Sequence, residues 1–137
     1  MADSVFIDTN VLVYAHDLDA GRKHEMARQL ITALWNKPVW PCISVQVLQE
    51  FAVTLMRKGV SLQDVRETAR DYAAWGVVEN TVPLLEAALD EMARWQLSFW
   101  DSLILAAARE AGASVIYSED LGAGQDYGGV RVENPFV

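Results

Sequence analysis

Three aspartates stand where a carboxylate is either costly or close to a predicted strand end. Asp101 lies in the first turn of a predicted helix, on a face that is otherwise apolar. The apolar residues of that face are Ile104, Leu105 and Ala108. Such a carboxylate needs a hydrogen bond, a basic partner or a metal ion to compensate its charge. Asp8 and Asp120 each follow a short apolar run that predicts a buried strand, so the question is whether the fold gathers these three acids.

The elements that must position these acids are short strands alternating with longer helices. Strands are predicted at residues 4–8, 39–42, 77–79, 114–117 and 130–132, and helices at 9–14, 24–36, 44–58, 61–74, 83–95 and 98–109. This alternation is typical of a parallel sheet with helices on both faces. Ligands bind such sheets at the carboxyl ends of the strands, where Asp8 and Asp120 are expected. Strand order alone does not place Asp101 at that edge.

The order of the acids resembles that of PIN-domain ribonucleases across nearly the whole chain. Asp8-Thr9-Asn10 is similar to the opening motif of that family, and Glu50 stands at the position of its second acid. Asp101-Ser102-Leu103-Ile104 resembles the third acidic motif. Tyr117-Ser118-Glu119-Asp120-Leu121 resembles the late motif, with Asp120 as the acid and Asp126 as a weaker alternative. Within the family, the chain most resembles the VapC-type toxins of bacterial toxin–antitoxin pairs.

The resemblance implies a single PIN-like domain over residues 1–137, a three-layer α/β/α fold with a central, mainly parallel sheet. It also implies that Asp101 joins the other acids at one end of the sheet. The expected activity is metal-dependent endoribonuclease cleavage, a hydrolysis of RNA phosphodiester bonds. The expected partners are an RNA substrate, a cognate antitoxin and a second copy of the chain in a homodimer.

The family's site residues carry over to matching positions in this sequence. The implied catalytic and metal-binding acids are Asp8, Glu50, Asp101 and Asp120, with Asn10 and Ser118 as supporting polar groups. Asp8 and Asp101 are the strongest ligand candidates, and the other two acids complete or bridge the site. Clustered carboxylates suit Mg²⁺, for which Mn²⁺ is expected to substitute. Whether one ion or two would bind stays open.

Each acid also has an ordinary structural explanation. Asp8 can cap the next helix, Asp101 can belong to a capping box begun by Ser98, and Asp120 can be a turn residue. Glu50 taken alone is typical of a surface. Two other functions therefore stay open: a catalytically inactive PIN-fold interaction module, and a metal-dependent phosphotransfer protein that uses Asp8.

Composition narrows the classes of protein further. The chain has 137 residues, of which 52% are hydrophobic, and this is enough for one domain with a real core. A net charge of −8 argues against nucleic-acid binding by bulk attraction but leaves room for local basic groups such as Arg57-Lys58. We expect a cytoplasmic protein for three reasons. Cys42 is the single cysteine, the N-terminal segment is neither basic nor a long apolar stretch, and no apolar run is long enough to span a membrane. Five tryptophans favour an interface with a partner.

Overall fold

A five-stranded sheet forms the centre of the chain in the computed structural model, which describes residues 4–137. The strands are β1 (Ser4–Ile7), β2 (Cys42–Ser44), β3 (Gly76–Val78), β4 (Ala113–Tyr117) and β5 (Arg131–Glu133). The helices are α1 (Thr9–Ala15), α2 (Arg22–Trp35), α3 (Val45–Arg57), α4 (Leu62–Tyr72), α5 (Val82–Trp95) and α6 (Phe99–Glu110), with one 3₁₀ turn at Leu18–Ala20. Residues 1–3 lie outside the described residues. They belong to the predicted domain and to the N-terminal segment on which the predicted localisation partly rests.

The strands are ordered β3-β2-β1-β4-β5, and every neighbouring pair is parallel. Right-handed crossovers place α1 to α4 on one face of the sheet and α5 and α6 on the other. Helix contacts agree, because α1 packs on α2 and α3, α3 packs on α4, and α5 packs on α6. The predicted α/β fold with a parallel sheet is confirmed. The chain changes its direction across the sheet between β1 and β4, and parallel sheets open a ligand crevice at such a point.

Burial explains why the strands and α6 are so apolar. Phe6, Ile43, Ile116 and Val132, one from each of four strands, are completely buried. The run Leu103–Ala108 of α6 is buried as well, because this helix lies against the sheet and is covered by α5. Strands that are covered on both faces need continuous apolar sequence rather than alternation.

Hydroxyl side chains cap the N-termini of four helices. Ser44, Ser61, Thr81 and Ser98 each accept a hydrogen bond from the backbone N–H three residues further on. Each bond satisfies one of the free donors of a first helical turn. At the other end of α6, Gly112 takes a φ of +76°, which lets the chain turn directly into β4.

The predicted strand at 39–42 is misplaced, because β2 runs from Cys42 to Ser44. Val39 and Trp40 are exposed, and Pro41 has no N–H to offer to a neighbouring strand. β2 ends at Ser44, the residue that also caps α3. Among the described residues, no helix has the length and hydropathy needed to cross a membrane.

Candidate carboxylate site at the carboxyl edge of the sheet

Asp8 directly follows β1 and is the most buried of the predicted acids, with 7% of its surface exposed. One carboxylate oxygen, Oδ1, accepts a hydrogen bond of 2.8 Å from the backbone N–H of Thr9 and so caps α1. The other, Oδ2, accepts one of 2.7 Å from Ser118 Oγ beyond the end of β4. The capping explanation and the site explanation of Asp8 are therefore compatible, since each uses a different oxygen.

Burial raises the pKa of Asp8 from its ordinary value of 3.8 to about 6. The loss of hydration is the main cause, and the hydrogen bonds from Ser118 and Thr9 oppose it by stabilising the charged form. The negative charges of Glu50 and Asp120 add to the increase. The carboxylate is thus held in a place where a nearby positive charge would lower the free energy of its ionised form.

Asn10 links the beginning of α1 to the loop after β4. Its Nδ2 donates to Asp120 Oδ2 at 3.2 Å, while its Oδ1 accepts from the backbone N–H of Glu119 at 3.1 Å. Ser118 is completely buried, and its Oγ also accepts from the backbone N–H groups of Asp120 and Leu121. The two residues predicted as supporting polar groups therefore hold Asp8 and Asp120 in one hydrogen-bonded network.

Glu50 reaches this network from α3, on the same side of the sheet as α1. Thr9 Oγ1 donates to Glu50 Oε1 at 2.9 Å. Gln46, Glu50 and Thr54 follow one another at intervals of four residues and share one face of α3, which forms a wall of the site.

Asp101 lies at the same edge because α6 begins there and runs toward the opposite edge. Gln46, in the first turn of α3, donates through Nε2 to the backbone carbonyl of Trp100 at 3.5 Å. Since α3 starts at the carboxyl end of β2, the start of α6 is placed at that end too. Ser98 caps α6 by accepting a hydrogen bond from the backbone N–H of Asp101. The side-chain carboxylate of Asp101 takes no part in that bond. Gln96, with a φ of +58°, ends α5 and redirects the chain toward α6.

The four predicted acids line one cleft of about 430 Å³. Asp17 and Lys58 form an ion pair of 3.0 Å in its lining, and Tyr14 and Trp100 are aromatic lining residues. Asp126, the alternative to Asp120, accepts a bond from the backbone of Gly129 and is not a lining residue. The structure thus brings together Asp8, Glu50, Asp101 and Asp120 around a common space.

Among residues 4–137, no three His, Cys, Asp or Glu side chains converge closely enough to enclose a metal ion by themselves. Mg²⁺ does not require such a cage, because it keeps several of its waters and is usually held by one or two carboxylates. The donors of the cleft are hard oxygen atoms of the class that Mg²⁺ and Mn²⁺ prefer. The site therefore fits a divalent ion that is held partly through water.

Sequence and structure comparisons place the chain among known proteins. The model of the PIN domain matches residues 5–124. The chain belongs to the PIN-domain family. PIN domains generally use divalent metal ions, in agreement with the oxygen donors of the cleft.

Several solved structures resemble this PIN domain over most of its length. A toxin–antitoxin complex from Klebsiella pneumoniae aligns with a TM-score of 0.68 and 22% identity, over 96% of this chain and 98% of that chain. VapC20 from Mycobacterium tuberculosis, described as a sarcin–ricin loop cleaving toxin, aligns with a TM-score of 0.65 and 26% identity, over 87% and 92%. DNA-bound VapBC from Salmonella typhimurium aligns with a TM-score of 0.63 and 16% identity, over 98% and 99%. No curated protein has a matching sequence. The resemblance to VapC-type PIN proteins that the sequence indicated is confirmed.

Sequence reasoning missed several residues of this PIN domain's cleft. Thr9 belongs to the quoted opening motif, but its bond to Glu50 depends on how α1 packs against α3. Gln46 and Thr54 could have been found from the polar positions spaced by four residues around Glu50. Trp100 directly precedes Asp101 and is one of the five tryptophans, but the sequence pattern does not single it out as a cleft residue.

Proposed function

We propose that this PIN domain is a metal-dependent endoribonuclease and the toxin of a toxin–antitoxin pair. The single observation that carries the proposal is the meeting of four carboxylates, from four separate parts of the chain, around one cleft at the sheet's ligand-binding edge. A fold has no need of such a meeting for stability, since like charges repel and a buried carboxylate is costly.

The acidic cleft would repel the phosphates of RNA unless cations neutralised it. Asp8 and Asp101 are proposed as direct ligands of Mg²⁺ or Mn²⁺, and Glu50 and Asp120 as ligands that act directly or through water. A bound divalent ion would lower the pKa of water, orient its attack and stabilise charge on the phosphate. The positive charge would also lower the pKa of Asp8, which is about 6 without it, and so stabilise the ionised form that the fold holds at a cost.

The chain's own polar groups would keep the acids oriented. Ser118 Oγ and the N–H of Thr9 each hold one oxygen of Asp8, which limits rotation of that carboxylate. Asn10 restrains Asp120, and Thr9 restrains Glu50. Restraining ligands in advance reduces the entropy that must be lost when ion and substrate bind.

One relative and the chemistry of the site support a proposal for the substrate class. VapC20 is described as cleaving the sarcin–ricin loop, which is RNA, and this chain is 26% identical to it. We therefore assign RNA phosphodiester bonds as the target.

The solved relatives also support a proposal for the protein partners. The Klebsiella and Salmonella structures are toxin–antitoxin assemblies, so we infer that a cognate antitoxin holds this chain inactive. A homodimer is supported by exposed apolar residues along one face of α5, namely Val82, Leu85, Leu89 and Met92. The free, buried thiol of Cys42 is compatible with the cytoplasm that we assign as its location.

The two other functions are less favoured by the site. An inactive interaction module would not need an intact set of four acids. A phosphotransfer protein would need Asp8 to turn an oxygen toward a phosphorus atom, but hydrogen bonds hold both of its oxygens in place.

A cleavage assay tests the proposal. Purified protein is incubated with structured RNA in Mg²⁺, in Mn²⁺ or in excess EDTA, and the products are resolved on a denaturing gel. We expect cleavage only with a divalent ion and none with Asp8→Asn. Asp71→Asn, an acid-to-amide change on the exposed side of α4, is the matched control and should cleave normally.

Two results would contradict the proposal: full cleavage in EDTA, or wild-type cleavage by Asp8→Asn. A phosphotransfer protein would instead leave the RNA intact and take up phosphate from acetyl phosphate. Circular dichroism of each variant separates a loss of chemistry from a loss of fold.

A further inference from the structure

Trp100 is a large aromatic side chain left exposed at the edge of the carboxylate cleft. It lies in the first turn of α6, directly before Asp101, and 62% of its surface is exposed. Phe99 packs edge-on against it, with ring centroids 5.0 Å apart, so the indole is supported by a neighbour while a large part of it stays uncovered. Such a residue is not needed to fill the core, which makes a role at the surface the more economical explanation.

The wall beside Trp100 contains a buried acceptor that is not hydrogen-bonded within residues 4–137. Gln46 is only 5% exposed, and its Nε2 bond to the Trp100 carbonyl ties the first turn of α6 to α3. Within the part of the chain that the structure describes, the buried Oε1 of Gln46 accepts no hydrogen bond. An unpaired buried acceptor costs free energy and marks a place where a donor is missing.

Trp100 stands between the carboxylate cleft and a second hollow of about 440 Å³. The two spaces share four residues, Gln46, Glu50, Thr54 and Trp100. The second hollow also contains Arg57, an exposed cation that forms no ion pair within residues 4–137. A cation beyond an exposed ring, beside an acidic cleft, is an arrangement suited to a nucleic-acid strand.

We propose that Trp100 stacks on the base of an unpaired nucleotide next to the cleaved phosphate, and that Arg57 contacts a further phosphate of the same strand. The inference rests on the proposed function and extends it to the substrate's form, a single-stranded segment of RNA. Stacking on an aromatic ring requires a base that is free of its helix, whereas the bases of a duplex are already stacked.

This assignment also explains how a chain of net charge −8 can hold RNA. Stacking does not depend on bulk positive charge, and Arg57 adds one local phosphate contact beside it. The pair Arg57-Lys58 divides between the two spaces, because Lys58 lines the carboxylate cleft, where it pairs with Asp17, and Arg57 lines the second hollow.

Binding of a short fluorescein-labelled single-stranded RNA, followed by anisotropy in Mg²⁺, tests the inference. Every protein carries Asp8→Asn so that the RNA stays intact. We expect Trp100→Ala to weaken binding by about five- to hundredfold, the range that loss of one base–aromatic stack produces. Trp100→Phe should keep most of the affinity. Trp40→Ala, which removes another exposed tryptophan outside the cleft, should bind like its parent.

An abasic scan identifies the contact itself. One nucleotide of the RNA is replaced by an abasic residue, position by position. A single position should weaken binding to the parent protein, and the same replacement should have no further effect on Trp100→Ala. Arg57→Gln should weaken binding and reduce the dependence of log K on log salt by about 1.

Equal binding of parent and Trp100→Ala would overturn the inference, and so would a fully additive abasic effect. Exposed Trp100 would then belong to a protein interface. The proposed function fails separately, because it fails when the unmodified protein does not cleave RNA in Mg²⁺. If the unmodified protein binds RNA through Trp100 but does not cleave it, only the proposed nuclease function is refuted. If the protein cleaves RNA and Trp100→Ala has no effect on cleavage, only the proposed stacking is refuted.

Discussion

Replacing Asp8 by Asn should change the stability of the metal-free protein in a direction that depends on pH. The pKa of Asp8 is about 6 in the fold against 3.8 ordinarily, so the folded state binds a proton more tightly than the unfolded chain does. The contribution of Asp8 to stability is therefore complete below pH 4 and is lost as the pH rises through about 6. Above that pH, the fold contains an ionised, buried carboxylate.

The size of this effect follows from the two pKa values. The difference between 3.8 and about 6 corresponds to about 3 kcal/mol at neutral pH. Asn removes this penalty because it carries no charge. It also disturbs the hydrogen bond of 2.7 Å that the Ser118 hydroxyl donates to Asp8, because the amide can present its N–H₂ group there instead of an oxygen. Loss of that bond costs about 1–2 kcal/mol. We expect Asp8→Asn to be more stable than wild type by about 1–2 kcal/mol at pH 8, and less stable by about 1 kcal/mol near pH 4.

Thermal melts in EDTA between pH 4 and pH 8 measure the difference. For a domain of this size, the expected gain at pH 8 is a Tm increase of about 4–8 °C. Groups far from Asp8 act equally in both proteins, so the difference between the two curves reports Asp8 and its interaction with Glu50 and Asp120. Addition of Mg²⁺ should then stabilise wild type more than the variant, because a ligand stabilises only a state that binds it.

The reasoning would be refuted by a difference that is independent of pH. A variant that is less stable than wild type at every pH would show that Asp8 contributes mainly as the cap of α1, with its burial fully compensated. The stabilisation that we expect at pH 8 is opposite in sign to the effect of removing a cap alone, since loss of an N-cap typically destabilises by about 1 kcal/mol at all pH values.

Three further predictions address the network, the scaffold and the surface. Ser118→Ala removes a bond that lowers the pKa of Asp8, so this pKa should rise above 6 and the acid limb of the pH–rate profile for RNA cleavage should move to higher pH. Arg109→Met leaves the buried carboxylate of Glu91 without its paired guanidinium, and urea titration should show a loss of about 2–4 kcal/mol; an unchanged midpoint would contradict the pair's role. Leu89→Asp on the exposed face of α5 should convert the proposed dimer to a monomer in light scattering, while Leu62→Asp, the same change at an exposed leucine of α4, should not.

The positions of Asp8 and Asp120 could be predicted from the sequence because both follow short apolar strands. A parallel sheet brings such strand ends to one edge, and the structure agrees. Asp101 was different, because its place depends on residues 96–98, which carry the chain from the end of α5 to the start of α6. No local pattern specifies where that short segment leads, so the family resemblance supplied what periodicity could not.

Side-chain contacts between distant elements were the least predictable part of the site. The bonds of Asn10 to Asp120 and of Thr9 to Glu50 join residues 110 and 41 positions apart, and their partners are chosen by packing. The misplacement of β2 has a similar cause, since Val39 and Trp40 have the composition of a strand but lie outside the sheet. Hydrophobic pattern specifies which residues are suited to burial, and tertiary packing decides which of them are buried.

The unfavourable burial of Asp8 has a consequence for how this chain can change over generations. The carboxylate on which the proposed chemistry depends most is also one that the fold tolerates poorly at neutral pH. On the proposed function, a single substitution there would abolish the activity and leave a folded protein that still presents its surfaces to partners. Selection against the proposed activity would therefore favour a variant that is more stable but inactive. Retention of Asp8 in a lineage would indicate that the activity itself is being selected.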